Sequence, residues 1–168
     1  MTGDLTHLVH DTTVGPLILV GDDTRLRAVW FGEPHSGQDV GEERCREDAP
    51  GVLQEAARQL EEYLRGERQT FDLPLALEGT EFQRQVWERL RAIPYGQTRS
   101  YGEIAAEIGK PRAAQAVGAA NGHNPLSIVV PCHRVIGSDG AITGYAGGIE
   151  RKQALLDMER RVAGDALF

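Results

Sequence analysis

The chain has 168 residues, of which 40% are hydrophobic and 26% charged, and its formal net charge is −7. This length suits one domain or two small ones, and the composition is that of a folded globular protein, which excludes a disordered chain. No apolar run is long enough to span a bilayer and the N-terminus carries no basic-then-apolar signal, so we expect no membrane association.

The negative charge is unevenly distributed along the chain. Residues 1–79 contain seven Lys/Arg against sixteen Asp/Glu, a net −9, whereas residues 80–168 contain eleven against nine, a net +2. The second part could therefore approach a polyanion such as DNA, although +2 does not demand it. Cys45 lies in a charged stretch and Cys132 among apolar residues, so we expect no disulfide, a reducing cytoplasm, and a surface thiol without function at Cys45.

The first part of the chain predicts strands followed by a helix. An apolar run at 17–20 and alternating residues at 26–30 flank a turn-rich stretch, so residues 8–30 are predicted to form a hairpin. Residues 32–50 are poor in apolar side chains and are predicted to be a mobile loop. The apolar spacing from Val52 to Leu64 is helical.

A second set of elements begins at Thr80. Before it, residues 71–77 alternate in hydrophobicity, and Pro74 restricts them to an edge strand or an extended linker. Thr80 and Gln83 have capping-box spacing, and the apolar residues that follow at every fourth position predict a helix that ends near Pro94.

Two short helices are predicted next. Ser100 opens a second capping-box pattern, and its helix stops at Gly109. Pro111 suits the first turn of a further helix over 112–120, which Asn121 and Gly122 would terminate. This is the helix-turn-helix pattern, although such pairs are also common packing units. The second helix is rich in Ala and Gly, so its backbone can approach either a neighbouring helix or a nucleic-acid groove.

A thiol and an imidazole are adjacent at Cys132 and His133. The apolar run 128–130 predicts a short buried strand that leads into a turn at this point. A thiol becomes a strong nucleophile once a base takes its proton, and histidine titrates near neutral pH, so the pair is a candidate activated nucleophile. The alternative is a buried cysteine that acts as a small hydrophobic residue. A flexible loop at 144–148 and a helix over 151–161 complete the chain.

Seven short segments after Thr80 occur together in one order. They are FQRQVW at 82–87, IPYG at 93–96, SYGEIA at 100–105, AVGAAN at 116–121, NP at 124–125, PCHRVI at 131–136 and TGYAGG at 143–148. One such segment would be a weak signal, but the whole set is specific. This half of the chain resembles the O6-alkylguanine-DNA alkyltransferase family in its short bacterial form. Residues 1–79 match that family loosely, by size and by their hairpin-then-helix order.

The resemblance implies an α/β fold with two domains. Residues 1–79 would form a ribonuclease-H-like α/β domain with a linker, and residues 80–168 a mostly helical, winged-helix-like domain with a helix-turn-helix. The implied activity is DNA repair by single-turnover transfer of an alkyl group from O6 of guanine, or O4 of thymine, to Cys132 after minor-groove binding and nucleotide flipping. The expected partner is double-stranded DNA carrying alkylated bases, the protein would be a cytoplasmic monomer, and neither cofactor nor metal is implied.

The resemblance also implies roles for single residues near the thiol. His133 would take the Cys132 proton through a water, Glu159 would orient the imidazole, and Asn124 would tie the active-site turn to the recognition helix. Taken alone, Glu159 is an ordinary surface glutamate and Asn124 a turn residue. The implied guanine pocket comprises Tyr101 as proton donor to N3, Tyr145, the N–H of Ala146, and the carbonyls of Cys132 and Val135.

The implied DNA contacts lie on and just before the second helix of the pair. They are Arg112, Ala113, Ala114, Gln115 and Gly118. Gln115 occupies the place where the family usually carries an arginine finger, which fills the gap left by the flipped base. Because glutamine lacks the planar cation, we expect weaker duplex binding and slower repair, and Arg112 is placed to compensate.

Two other functions stay open at this stage. One is a DNA-binding module that recognises alkylated guanine without repairing it. The presence of Cys132 argues against this function, whereas Gln115 in place of the usual arginine keeps it open. The other is a cysteine hydrolase that uses Cys132 and His133, which would need an oxyanion hole and repeated turnover. The sequence also leaves open the preferred alkyl size and cooperative binding on DNA.

Overall fold

Three consecutive antiparallel strands start the fold: β1 (Thr6–Thr12), β2 (Gly15–Gly21) and β3 (Leu26–Phe31). They belong to a computed structural model that describes residues 4–32 and 38–165. The prediction of a single hairpin over 8–30 is correct for β2 and β3 and wrong in omitting β1. The signal for β1 is weak because polar side chains, among them those of His7 and His10, are buried in it.

A fourth strand contradicts part of the predicted loop over residues 32–50, of which 33–37 lie outside the described residues. β4 (Glu42–Glu43) pairs in parallel with β1, which gives the sheet order β3-β2-β1-β4. Gly41 has a φ of +69° and approaches the chain so closely that an added Cβ would lie 1.8 Å from the Leu5 carbonyl oxygen. Two residues are too few for any hydrophobic period, so the sequence could not reveal this strand.

One helix and one extended segment complete the first unit. α1 (Gly51–Leu64) confirms the predicted helix; it packs on the sheet and buries Leu53, Ala56 and Leu60. Residues 71–77 are extended, with one parallel bridge between Leu26 and Leu75, and the Pro74 carbonyl accepts a hydrogen bond from the Leu26 N–H at 2.8 Å. The chain divides into two units between Leu77 and Glu78.

The second unit begins with two capped helices, α2 (Glu81–Arg91) and α3 (Tyr101–Glu107). Thr80 accepts a hydrogen bond from the Gln83 N–H at 3.1 Å, and the Gln83 side chain accepts one from the Thr80 N–H at 3.0 Å. Ser100 and Glu103 make the same reciprocal pair at the start of α3. Both predicted capping boxes are therefore confirmed, and each satisfies backbone donors that a helix start leaves open.

The second helix of the predicted pair is shifted. α4 (Ala114–Gly122) starts two residues later and ends two residues later than the sequence indicated. Pro111 and Arg112 form a turn, closed by a hydrogen bond from the Ala113 N–H to the Lys110 carbonyl at 2.9 Å, so Arg112 and Ala113 precede the helix. Asn121 does not terminate α4 but lies inside it and is buried, because tertiary contacts override its turn preference.

The apolar run 128–130 is buried but does not form the predicted strand. It passes through irregular turns into a single turn of 3-10 helix (Cys132–Arg134) and then β6 (Val135–Ile136), which pairs in parallel with β5 (Arg99–Ser100). The chain continues to α5 (Ile149–Asp165), which buries Leu155 and Met158 as predicted. Within the described residues, no helix is long and apolar enough to cross a membrane.

Candidate active site

Cys132 begins the 3-10 turn and is only 4% exposed. The apolar run before it and Val135 at the start of β6 are also buried, so the thiol lies between two buried segments of backbone. Cys45, in contrast, is exposed, with its sulfur 3.1 Å from a carboxylate oxygen of Asp48. The two cysteines therefore differ as their sequence surroundings indicated.

The Asn124 side chain holds the segment that leads to Cys132. Its Oδ1 accepts a hydrogen bond from the Leu126 N–H at 3.0 Å, and its Nδ2 donates one to the Val130 carbonyl at 2.8 Å. Between these bonds Ile128 adopts a φ of 70°, a strained value for a β-branched residue. The Asn124 amide thus bonds to backbone groups of Leu126 and Val130 that would otherwise be available to a neighbouring strand. Residues 128–130 therefore form turns and not a strand.

His133, Arg134 and Glu159 form a buried cluster beside the thiol. The Nε2 atom of His133 lies 2.7 Å from Oε2 of Glu159. Arg134 donates from Nε to Oε1 of the same carboxylate at 2.8 Å and from Nη2 to Oε2 at 3.1 Å. His133 is 0% exposed, Glu159 1% and Arg134 6%, so these are charge-assisted hydrogen bonds away from bulk water.

The protonation of this cluster follows from its contacts. Burial alone would raise the pKa of Glu159, but hydrogen bonds and charges from His133 and Arg134 outweigh it and bring the pKa to about 2. Burial lowers the pKa of His133 below its usual value, and the Glu159 carboxylate opposes that shift. An ionised carboxylate only accepts hydrogen bonds, so Nε2 of the neutral imidazole carries the proton and Nδ1 is left as the basic nitrogen.

The thiol is protonated at rest. Burial raises the pKa of Cys132, and an Asn124 hydrogen bond, the charge of Lys152 and nearby backbone N–H groups oppose the rise. A buried thiol with a raised pKa is a weak nucleophile at neutral pH. Chemistry at this sulfur therefore requires a base when the reaction occurs, and His133 is the adjacent residue with a basic nitrogen.

The predicted pocket residues lie on three segments of the second unit. Tyr101 is the first residue of α3, and its hydroxyl lies 3.0 Å from that of Thr143. The Tyr145 ring meets the His133 ring edge-on, with centroids 6.5 Å apart, and burial raises the pKa of its hydroxyl well above the usual range. Val135 is buried at the start of β6.

Comparison with known proteins identifies this arrangement. A family model described as 6-O-methylguanine DNA methyltransferase, DNA binding domain, matches residues 81–161, and the model of the corresponding ribonuclease-like domain matches residues 6–77. A methylated-DNA–protein-cysteine methyltransferase of Methanosarcina acetivorans is 47% identical, with 91% of this chain and 97% of the relative covered. The chain belongs to the methylated-DNA–protein-cysteine methyltransferase family.

Further relatives support this membership. The methyltransferase of Mycolicibacterium paratuberculosis is 52% identical, with 90% of each chain covered. The crystal structure of Mycobacterium tuberculosis OGT in complex with DNA has a TM-score of 0.84 to this chain at 48% identity, with 94% of each chain covered. The predicted two-domain α/β fold, ribonuclease-like and then DNA-binding, is therefore confirmed.

In this methyltransferase fold, α4 places its small residues on two sides. Gln115, Ala116 and Ala119 are exposed, whereas Val117 and Ala120 are buried against the rest of the unit. Because Ala116 and Ala119 have small side chains, this side of α4 can lie close to another surface.

The other predicted DNA contacts differ in exposure. Arg112 is exposed just before α4, and Ala113 and Ala114 are half-buried at its start. Gly118 lies beside the substrate-pocket candidate Tyr101, because an added Cβ would be 3.8 Å from its ring. The remaining pocket candidate, Ala146, is exposed in a turn closed by a hydrogen bond from the Gly148 N–H to the Tyr145 carbonyl at 2.9 Å.

Sequence reasoning missed several polar side chains that the fold of this methyltransferase buries or places in contact with the candidate site. Arg134 shares the Glu159 carboxylate, Asn121 donates to the Cys132 carbonyl at 3.3 Å, and Lys152 is fully buried. A signal existed for Lys152, because it lies seven residues before Glu159, two helical turns along the same face. Among residues 4–32 and 38–165, no group of three His, Cys, Asp or Glu side chains is placed to hold a metal ion.

Proposed function

We propose that this protein repairs DNA by transferring an alkyl group from O6 of guanine, or O4 of thymine, to the sulfur of Cys132. The observation that carries the proposal is a buried imidazole–carboxylate pair, joined at 2.7 Å, next to a buried thiol in a member of this family. A thiol that is protonated at rest needs such a base in order to react.

The transfer on guanine begins with loss of the thiol proton. His133 takes the proton of Cys132 through a water, and the Glu159 carboxylate stabilises the resulting imidazolium. The sulfur electron pair then forms a bond to the alkyl carbon, while the bond from that carbon to O6 breaks and its electron pair stays with guanine. Tyr101 supplies a proton to guanine N3, and the His133 proton neutralises the phenolate by way of solvent. The net reaction exchanges the alkyl group of guanine for the thiol proton.

The product explains why we propose a single turnover. Transfer leaves a thioether on Cys132, and water does not cleave a thioether at a useful rate. Each protein molecule would therefore act once. The proposed reaction uses side chains of this protein and water, so it includes no cofactor.

Access to the alkyl group requires the base to leave the duplex. Chemistry on a stacked base needs the nucleotide to be flipped out, at a cost of a few kcal/mol. We assign the approach to DNA to the exposed side of α4 in the minor groove, with Arg112 and Gln115 as polar contacts. We assign the flipped base to a pocket of Tyr101, Tyr145, the Ala146 N–H and the carbonyls of Cys132 and Val135.

The remaining assignments concern the whole chain. We assign the chemistry to residues 80–168 and the ribonuclease-H-like fold to residues 1–79, with the protein acting as a monomer on double-stranded DNA. A reactive thiol is best preserved in a reducing compartment, which supports the cytoplasm.

Intact-mass measurement tests the proposal. The protein is incubated with duplex DNA containing O6-methylguanine, and we expect one added methyl group, mapped to Cys132 by peptide analysis. Cys132→Ser should gain no mass, and Cys45→Ser, the matched control, should gain one methyl group like the parent. A bound but unmodified protein would instead indicate a lesion-binding module, and neither binding nor modification would favour a cysteine hydrolase.

A further inference from the structure

Lys152 is a buried cation that the proposed chemistry does not use. It lies on α5 and is 0% exposed, and its Nζ donates a hydrogen bond to the Thr143 carbonyl at 2.7 Å. Within the described residues no carboxylate lies within ion-pair distance of this ammonium; Glu159, two turns along the same helix, pairs with His133 and Arg134. A buried ammonium is strongly disfavoured unless a negative charge compensates it.

α5, which carries Lys152, packs against the 3-10 turn that contains Cys132, and the Cys132 sulfur becomes negative during the reaction. The pKa of Lys152 is lowered chiefly by burial, and the charge of Cys132 opposes that shift. The same coupling acts on Cys132, whose pKa the Lys152 charge lowers. Among the other titratable groups, the charge of Lys152 opposes protonation of His133, and the charge of Cys132 opposes ionisation of Tyr145. The thiolate is therefore the anion that fits this cation.

We propose that Lys152 is the counter-charge of the Cys132 thiolate and stabilises it during alkyl transfer. The proposal rests on Cys132 being the alkyl acceptor. When the thiol proton moves to His133, two charges appear at once in a buried place. The imidazolium is stabilised by Glu159 and the thiolate by Lys152, so each new charge has its own partner. Bond formation between sulfur and carbon then consumes the thiolate charge.

The hydrogen bond to Thr143 offers a purely structural alternative. Through it Lys152 holds the segment before Tyr145, and the Thr143 hydroxyl contacts that of Tyr101 at 3.0 Å. Loss of this support alone would slow transfer equally at every pH. Loss of the charge would instead raise the pKa of the thiol, so the defect would be largest at neutral pH and would shrink in alkaline solution.

The experiment measures two pH profiles of the full-length protein between about pH 7 and about pH 11, because the pKa of the Cys132 thiol is raised by burial and the profiles must pass through it. One is the single-turnover rate on duplex DNA containing O6-methylguanine. The other is alkylation of Cys132 by iodoacetamide, followed by intact mass in a Cys45→Ser background, because the exposed Cys45 thiol would also react. For Lys152→Met we expect both profiles to move to higher pH by about 1 to 2 units, with a roughly 10- to 100-fold loss of rate at pH 7. Lys152→Arg keeps the charge and should stay near the parent midpoint.

Controls keep the proposal falsifiable. Lys152→Gln is a second neutral variant if Lys152→Met does not fold, and Lys110→Met, at the exposed second lysine, should leave the iodoacetamide profile unchanged. Neutral variants with the parent midpoint, or with a rate loss equal at every pH, would overturn the role of Lys152. If the DNA-derived methyl group maps to a residue other than Cys132, the proposed function fails, and the iodoacetamide profile still tests the pairing.

Discussion

At the scale of single residues, the site depends on one shared carboxylate. Glu159 accepts hydrogen bonds from His133, from two nitrogens of Arg134 and, at 3.2 Å, from the Gly96 N–H. Arg134 also donates to the Ile93 carbonyl at 2.8 Å. These bonds keep the carboxylate ionised, and an ionised carboxylate keeps the imidazole in the tautomer that can act as a base.

We expect Arg134→Met to lower the free energy of unfolding by about 3–5 kcal/mol at neutral pH, because it leaves Glu159 buried with one partner fewer. The double variant Arg134→Met/Glu159→Gln should lose less than the sum of the two single variants, since it buries no uncompensated charge. Urea denaturation of the four proteins measures the coupling. Strict additivity would mean that the two side chains do not act as a pair.

The same cluster predicts how acid destabilises the protein. The pKa of Glu159 is about 2 in the folded protein, below an unfolded value of about 4.3. A carboxyl group whose pKa is lower in the folded protein stabilises the fold at pH values above its unfolded pKa. This stabilisation is lost as the pH falls through its folded pKa. Stability should therefore fall between about pH 4.3 and about pH 2, and this part of the fall should be absent in the double variant. Equal acid dependence in both proteins would contradict the assignment.

Gln115 offers a third prediction for a single residue. It is exposed on α4, so it can reach DNA without rearrangement of the core. An arginine there would add a charge-assisted contact, stronger by about 1 kcal/mol, so we expect Gln115→Arg to repair duplex substrate roughly fivefold faster. The control substrate is the free base O6-benzylguanine, on which both proteins should react equally. Equal rates of the parent and Gln115→Arg on the duplex would contradict the expectation that position 115 is where an arginine finger would intercalate.

At the scale of elements, one capped helix start carries a proposed site residue. α3 begins at Tyr101, directly after its capping residue Ser100, whereas the equally capped α2 begins at Glu81 and contributes none of the proposed site residues. The two caps have the same reciprocal geometry. They therefore form a natural comparison between a cap that supports the site and one that supports only the fold.

Ser100→Ala and Thr80→Ala should each lower the free energy of unfolding by about 1 kcal/mol, because each removes a hydrogen bond to a helix-start N–H. Only Ser100→Ala should also slow alkyl transfer, since it loosens the helix start that carries Tyr101. Thermal melting and single-turnover rates measure the two effects, and Ser100→Thr should restore both. A rate loss of equal size in Thr80→Ala would indicate that general destabilisation explains the effect.

At the scale of the whole molecule, net charge limits how much contacts to the phosphate backbone can contribute to DNA binding. The chain has a net charge of −7, and residues 80–168 have only two more basic than acidic side chains. A protein of this kind cannot neutralise many phosphates. We therefore expect binding to depend more on close approach of α4 and on the flipped base than on the phosphate backbone.

The salt dependence of DNA binding tests this expectation. With about three phosphate contacts, raising salt from about 50 to about 200 mM should weaken binding less than a hundredfold, against about 10³–10⁵ for proteins with 6–10 such contacts. Arg112→Ala should reduce the slope of the logarithm of the binding constant against the logarithm of the salt concentration by about one. Fluorescence anisotropy with unmodified duplex measures both values. A much steeper salt dependence would contradict the small number of phosphate contacts that we expect from the net charge.

Local patterns in the sequence determined much of the fold. Capping boxes at Thr80 and Ser100, the helical spacing over α1 and the stop at Gly109 involve residues within four positions of one another, so short-range chemistry decides them. The adjacent Cys132 and His133 pointed to the nucleophile for the same reason. The choice of Glu159 and Tyr101 as partners came from resemblance to a family, since nothing local distinguishes them.

The tertiary structure alone decided the features that depend on distant partners. β4 exists because β1 offers it an edge, and residues 128–130 form a turn because Asn124 occupies their backbone groups. Arg134 and Lys152 look like ordinary charged residues in the sequence, and folding places both in the interior. Whether a charge is buried, and beside which group, depends on contacts between segments far apart in the chain. The sequence therefore indicated the candidate sulfur, and only the folded chain revealed the buried charges of Arg134, Lys152 and Glu159.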